Sequence, residues 1–219
     1  MTLVRFLPAY HRIQQALQWW SSRQSMKLFL EAEKIRDGLL QETFTIRRNL
    51  DLVAVENLNF SSNQTQDYLK QIDQFHHSLV QLSNRLFPDS LQDNFPLAIE
   101  CLLEPWLAAH PHLYFHLDLP VSWRHEQAEH SLIVLSALDE LLTISLPHIL
   151  TPITIYISLK PQKNFGQLNV QIHYPDVTTF ICRSSLPELD YLCDTVQILT
   201  SGRCFYRTNN RKVIWYFCW

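Results

Sequence analysis

Glycine is almost absent from this chain: Gly38, Gly166 and Gly202 are the three glycines among 219 residues. Glycine ordinarily makes up about 7% of a protein, and no two of these three are close in the sequence. Phosphate-binding loops need closely spaced glycines, because a residue without a Cβ lets the backbone approach a phosphate group. The sequence therefore excludes a Walker A loop, a G-x-G-x-x-G dinucleotide turn and any other glycine-rich phosphate cradle.

The rest of the composition indicates a folded chain with an apolar core. Hydrophobic residues make up 47% of the chain and charged residues 18%, which is too apolar for a disordered protein. The formal net charge is −3. A protein that binds nucleic acid mainly through phosphates carries an excess of basic residues. We therefore predict no nucleic-acid partner.

No targeting or metal motif stands out. The segment Met1 to Pro8 lacks the apolar core of a signal peptide, and no apolar run approaches the roughly 20 residues that span a bilayer. The sequence thus predicts a cytoplasmic protein without a membrane partner. The five cysteines are odd in number and form no C-x-x-C pair, which argues against a disulfide framework and a zinc ribbon. We predict no metal and no cofactor.

The first part of the chain has the pattern of a helical hairpin. A short helix over 9–20 precedes a long helix over about 24–52, and a second long helix over about 65–86 ends before Pro88. Apolar residues recur at steps of three and four in both long helices, although Glu42 interrupts the row in the first. Two helices with such a narrow apolar stripe usually pair into a four-helix bundle, so we predict a homodimer.

After Pro88 the pattern changes to alternating helices and strands. The predicted elements are helices near 96–109, 127–146 and 188–199, and strands at 112–119, 153–159, 168–174, 204–207 and 213–217. This order predicts an α+β layer with helices on one face of a mixed sheet. The predicted organisation is an N-terminal helical extension (1–23), a hairpin dimerisation domain (24–90) and an α/β domain (91–219).

Two segments resemble motifs of sensor histidine kinases. The run from Glu33 to Gln41, with Asp-Gly-Leu-Leu-Gln at its end, resembles the phosphoacceptor box of the nitrate-sensor and DesK type. Arg36 stands at the phosphoacceptor position and Asp37 at the adjacent acid position. The run Asp139 to His148 resembles the N box of the ATP-binding domain, with Glu140 and His148 at the expected positions.

This resemblance implies a dimeric helical hairpin followed by a Bergerat-like (GHKL-type) α/β sandwich. It also shows what is missing. A guanidinium is permanently protonated, so Arg36 cannot act as the nucleophile. Ile144 stands where the family has its magnesium-binding asparagine, and it offers no oxygen ligand.

The expected D-x-G-x-G box is also missing, since Pro175 to Thr179 contains no glycine and only a short loop separates it from the helix at Glu188. Only Ser201-Gly202 resembles the late glycine turn of the family. The sequence therefore predicts a pseudo-histidine kinase, not an enzyme.

The predicted function is a non-catalytic signalling adaptor of the two-component type. Glu33, Arg36, Asp37 and Leu40 would dock a response regulator or a partner kinase, and Glu140, Ile144, His148 and Gly202 would line a vestigial nucleotide pocket. Two plainer interpretations stay open: Arg36 and Asp37 as a solvated charge pair, and Glu140 and His148 as surface or capping residues. The alternative functions are a histidine phosphotransferase that uses a relocated histidine, His76 or His77, and a residual ATP-binding histidine kinase.

Overall fold

A computed structural model describes residues 3–56, 62–86, 91, 94–124, 126–146, 151–162 and 165–219. The chain divides into two compact units. The hairpin unit is Ser22–Pro88, and the sheet unit consists of Met1–Ser21 together with Asp89–Trp219. Each unit has its own packing and is described by itself.

The first helical region is longer and more continuous than the sequence predicted. It comprises α1 (Leu3–Lys34), a π-helical turn (Ile35–Leu39) and α2 (Leu40–Glu56), and α3 follows (Ser62–Leu86). The predicted break between separate helices over 9–20 and 24–52 was therefore wrong. The bulky Trp19-Trp20 pair suggested an end, but no proline or glycine lies between Pro8 and Gly38 to interrupt the helix.

Side-chain contacts fix the antiparallel arrangement of the hairpin unit. The Asn49 amide donates a hydrogen bond of 3.2 Å to Oε1 of Gln71. Closer to the π-helical turn, Gly38 and Gln81 line the same cleft between the two helices. Residues with higher numbers on the first helical region thus contact residues with lower numbers on α3. The two are antiparallel, which confirms the predicted helical hairpin.

The sheet unit contains the mixed sheet that the sequence predicted. Its elements are α4 (Phe95–Ala109), β1 (Leu113–Asp118), α5 (Ala128–Ser145), β2 (Ile153–Pro161), β3 (Gly166–His173), α6 (Val177–Ser184), α7 (Pro187–Thr200), β4 (Arg203–Asn209) and β5 (Lys212–Cys218). The strand order is β1-β2-β3-β5-β4. β1 and β2 are parallel and the other pairs are antiparallel. The α+β class is confirmed, whereas α6 occupies a segment that the sequence analysis read as a short loop.

The two faces of the sheet have opposite characters. Strict alternation along β2, β3 and β5 buries every second residue, among them Ile155, Val170 and Trp215. These side chains form one apolar core with the buried face of α5. The intervening residues form the outer face of the sheet, which is half-buried or exposed. Such one-sided burial is typical of a two-layer domain.

The start of α1 belongs to this core as well. Arg12 makes a bidentate ion pair with Asp194 of α7, with N–O distances of 2.5 and 2.9 Å. The Thr195 hydroxyl donates to the carbonyl of Ala16, whose side chain is fully buried. The rings of Trp19 and Tyr191 lie 6.2 Å apart. The N-terminal segment is thus an integral layer of the sheet unit.

Candidate functional site

The segment that resembles the phosphoacceptor box forms the π-helical turn. Arg36 and Asp37 lie within it and are exposed, while Leu40, also exposed, begins α2. The amide of Leu40 donates to the carbonyl of Ile35, five residues back, which is the π-helical pattern. Glu33 is half-buried at the end of α1. The structure thus brings the four predicted docking residues onto adjoining turns, and single π turns recur at functional sites.

A cleft of about 170 Å³ lies beside this turn, within the hairpin unit. Its lining residues come from both long helices: Lys34, Ile35, Gly38, Leu39, Glu42, Ser78 and Gln81. Neither Arg36 nor Asp37 is among them. The π-helical turn therefore presents the predicted docking pair to solvent and its small glycine to the cleft.

Replacing Gly38 by alanine is expected to stabilise the hairpin unit by about 0.5–1 kcal/mol, because alanine loses less backbone entropy in a helix. An added Cβ at Gly38 meets no atom within 4 Å. Urea unfolding followed by far-UV circular dichroism would measure the change. A clear loss of stability would contradict the open space found beside this residue.

The alternative phosphoacceptors His76 and His77 are both exposed on α3. The amide Nε2 of Gln81 donates to Nε2 of His77 over 2.8 Å, and Gln81 itself lines the cleft. His77 is thus held one turn from the cleft with its ring accessible. Phosphorylation of Nε2 would require this hydrogen bond to break, because it occupies the lone pair that would attack the phosphate.

The segment that resembles the N box lies in the middle of the sheet unit. Glu140 and Ile144 are four residues apart on α5, share one helical face, and are 0% and 8% exposed. His148 lies outside the described residues. The interpretation of Glu140 as a surface or capping residue was therefore wrong. At the position of the expected magnesium ligand, the helix contributes an aliphatic side chain to the core.

A buried tyrosine immediately precedes the segment where the glycine box was expected. Tyr174 follows β3, is 4% exposed, and its ring lies 6.3 Å from that of Phe180 on α6. Burial raises the pKa of Tyr174 to about 12, although a hydrogen bond with the Ser145 side chain acts in the opposite direction. The phenol is therefore neutral at physiological pH and links the end of α5 to the end of β3.

The acid of the same segment serves as a helix cap. Oδ1 of Asp176 accepts from the amide of Thr179, and Oδ2 accepts from the Thr179 hydroxyl, each at 2.8 Å. These hydrogen bonds keep the pKa of Asp176 below its usual value. α6 begins immediately afterwards. The local signal was present in the sequence, since aspartate is among the preferred N-cap residues.

Gly202 lies at the turn from α7 into β4. A Cβ at this position would be 2.0 Å from the carbonyl oxygen of Cys218 on β5 and 2.9 Å from the hydroxyl of Thr200. Its own amide donates to that hydroxyl over 3.2 Å. The close approach of the two backbones requires glycine here, whether or not any ligand binds.

Neither a metal site nor a membrane-spanning segment is found in the described part of the chain. No group of three or more histidine, cysteine, aspartate or glutamate side chains is placed to hold a metal ion there. Over the same residues, no helix combines the length and the apolar composition that crossing a bilayer requires.

Comparisons with known proteins find similarity among solved structures only. No family model matches the chain, and no curated protein matches it. The Acinetobacter baumannii histidine kinase AdeS is 13% identical, with 82% of this chain and 95% of that chain covered and a TM-score of 0.44. A histidine kinase from Burkholderia phymatum is 12% identical, with coverages of 85% and 97% and a TM-score of 0.44.

A third structure, the histidine kinase ThkA in complex with the response regulator protein TrrA, is 11% identical to this chain. The coverages are 96% of this chain and 65% of that chain, and the TM-score is 0.44. Similarity at this level carries no information about activity.

Sequence reasoning missed two features of the site region. The π-helical turn leaves no residue signature, because it inserts one residue into an otherwise helical pattern. The buried Tyr174 was read only as the end of a strand. Its spacing from the other apolar residues of β3, at every second position, was the signal that it faces the core.

Proposed function

We propose that this protein is a histidine-kinase-like signalling adaptor that neither binds Mg-ATP nor transfers phosphate. Ile144 is the observation that carries the proposal. Magnesium needs oxygen ligands, and the side chain at the equivalent position of this chain is aliphatic and nearly fully buried. A buried isoleucine offers no atom that could hold the ion between the nucleotide and the protein.

Two further features support the absence of nucleotide chemistry. The segment Pro175 to Thr179, where a glycine-rich loop was expected, contains no glycine, and its last three residues begin α6. Arg36, at the phosphoacceptor position, is exposed and cannot release its proton to become a nucleophile.

Exposed apolar side chains of the hairpin unit support a homodimer. Large exposed apolar residues occur along all of its helices, and they include Leu28, Phe29, Leu30, Leu40, Phe44, Leu69, Ile72 and Leu79. Apolar surface of this extent on a helical hairpin favours association with a second hairpin. The adaptor would then present two copies of its docking surface.

The proposed docking surface consists of Glu33, Arg36, Asp37 and Leu40. The charges of these residues would orient a bound protein, and the exposed side chain of Leu40 would make an apolar contact with it. The resemblance of this segment to a phosphoacceptor box suggests a response regulator or a partner kinase as the bound protein. Docking without phosphate transfer would sequester that partner or bias its activity.

Titration with millimolar Mg-ATP is expected to leave the melting temperature of the purified protein unchanged. A specific ligand at about 100 times its Kd would stabilise the fold by roughly 2.7 kcal/mol, which a thermal-shift measurement resolves easily. Magnesium without nucleotide serves as the matched control. A saturable, nucleotide-dependent rise in melting temperature would contradict the proposal and favour a residual ATP-binding histidine kinase.

The second candidate function is a histidine phosphotransferase, and the exposure of His77 on α3 is the observation that favours it. Incubation with a phosphorylated receiver domain separates the two candidates. Phosphate retained on His77, and lost in a His77→Gln variant, would identify the phosphotransferase. Complex formation without phosphate transfer would identify the adaptor.

A further inference from the structure

The outer face of the sheet carries phenylalanine or tyrosine rings on β1, β2, β4 and β5, and the imidazole ring of His173 on β3. His116 of β1 stacks on Tyr156 of β2 with ring centroids 4.7 Å apart, and Phe205 of β4 stacks on Tyr216 of β5 at 4.8 Å. Tyr114 is 54% exposed, Tyr156 44% and Phe205 40%. These exposed rings do not contribute to the apolar core, which lies on the opposite face of the sheet.

The strand register orders these rings into two groups. Tyr156 and Tyr216 lie on β2 and β5, with β3 between them. Neighbouring strands are about 4.8 Å apart, so the two ring groups are separated by about 10 Å. The two groups are also offset along the strands, because Tyr156 pairs with Gln171 of β3 and Tyr216 pairs with Asn169. On β3, the Asn169 amide donates to the hydroxyl of Ser158 over 3.4 Å, and the Gln171 amide is hydrogen-bonded to the ring of His173.

The charge of this face is opposite in sign to that of the chain. Its carboxylate, Asp118, is paired with Lys160 at 3.7 Å, so Arg203, Arg207 and Lys212 carry the net positive charge of this face. Arg207 also lies over the ring of Phe205 at 5.8 Å. The net charge of −3, which argued against a nucleic-acid partner, is the sum over the whole chain. It does not describe this face, which is locally basic and aromatic.

We propose that the outer face of the sheet binds single-stranded nucleic acid. Bases would stack on the exposed rings, and the phosphates would contact the arginine and lysine side chains. Rings on an open sheet combined with cations are the usual chemistry of sequence-tolerant single-strand binding. An acidic protein segment would satisfy the cations but would leave the rings without a partner.

Fluorescence anisotropy with a labelled oligothymidine of about 16 nucleotides, the upper end of common site sizes, tests the proposal. Saturable binding is expected at about 50 mM salt and a much weaker affinity at about 200 mM. Phe205→Thr and Tyr156→Thr, which keep strand propensity, are each expected to weaken binding roughly tenfold. Arg207→Glu should weaken binding and reduce its salt dependence.

The matched controls are Tyr10→Ala and Lys70→Glu, which alter an exposed ring on α1 and an exposed cation on α3. Both should bind like the unmodified protein. The melting temperature of each variant shows whether that variant is folded. Because Arg207 is exposed, the Arg207→Glu variant tests the proposal even if a ring variant misfolds.

Three outcomes would overturn the proposal: no saturable binding at low salt, affinity unchanged by both ring variants, or equal competition by polyglutamate. The last outcome would identify the face as a docking surface for an acidic protein. The proposal does not depend on the adaptor function, since the oligonucleotide would contact the sheet unit and not the docking surface of the hairpin unit.

Discussion

Gly202→Ala is expected to destabilise the sheet unit by about 3 kcal/mol, the upper end of the usual cost of overpacking. The new Cβ would be 2.0 Å from the backbone oxygen of Cys218. A backbone atom cannot rotate away as a side chain can, so β4 would have to shift relative to β5. Those two strands are paired along their whole length, and the shift would disturb their ladder as well as the packing beneath it.

Urea unfolding measured by tryptophan fluorescence would quantify the loss, because Trp215 on β5 is buried in the core of this unit. Gly38→Ala is the matched control, since it makes the same chemical change at a position with open space. Near-normal stability of Gly202→Ala would show that the strands do not approach each other this closely. The expected loss would give Gly202 a structural role that requires no nucleotide.

Ile144→Asn is expected to cost about 3 kcal/mol of unfolding free energy without creating a magnesium site. The substitution removes buried aliphatic atoms and places an amide in an apolar environment, and both changes are unfavourable. Ile144 is 8% exposed and belongs to the continuous core. Restoring the residue of the histidine kinases would thus damage the fold before it could restore their chemistry.

Ile144→Val is the matched control, because it removes a single methylene and should cost about 1 kcal/mol. Denaturant unfolding measures both variants, and the Mg-ATP thermal shift is repeated on each. An Ile144→Asn variant that kept its stability and bound Mg-ATP would mean that the face of α5 opens onto a working pocket. That result would contradict the expectation that no magnesium site is created, but it would identify Ile144 as the residue that prevents Mg-ATP binding in the unmodified protein.

The hairpin was predictable from sequence because its apolar periodicity is long and uninterrupted by proline. The π-helical turn around Gly38 and the exposure of the residues that follow it were not predictable from sequence. Glu42 interrupts the predicted apolar row, is exposed and lines the cleft, whereas Thr43, Ile46 and Asn49 are half-buried. The π-helical turn over Ile35–Leu39 inserts one additional residue just before this stretch. A pattern search at a fixed period of 3.6 residues cannot anticipate such an insertion.

The sheet was predictable from alternation, whereas the segment between β3 and α7 was not. Reading it as a loop followed from the expectation of a lost glycine box. Asp176 and Thr179 instead supply a complete N-cap, and α6 begins there. For the candidate site, sequence could identify Ile144 as the wrong residue for magnesium. It could not show that this side chain is buried, since burial depends on which face of α5 meets the sheet.

The docking of α1 on α7 also determines when the sheet unit can be completed during synthesis. Arg12 and Asp194 are 182 residues apart, and Ala16 and Thr195 are 179 apart. At roughly 5–20 residues per second, the ribosome needs on the order of 10–35 s to make the later partner after the earlier one. Until α7 has been synthesised, the face of α1 that carries Trp19 and Trp20 remains exposed to solvent. The local contacts of the hairpin can form during this time. Long waiting with exposed apolar surface favours association with a chaperone or another nascent chain.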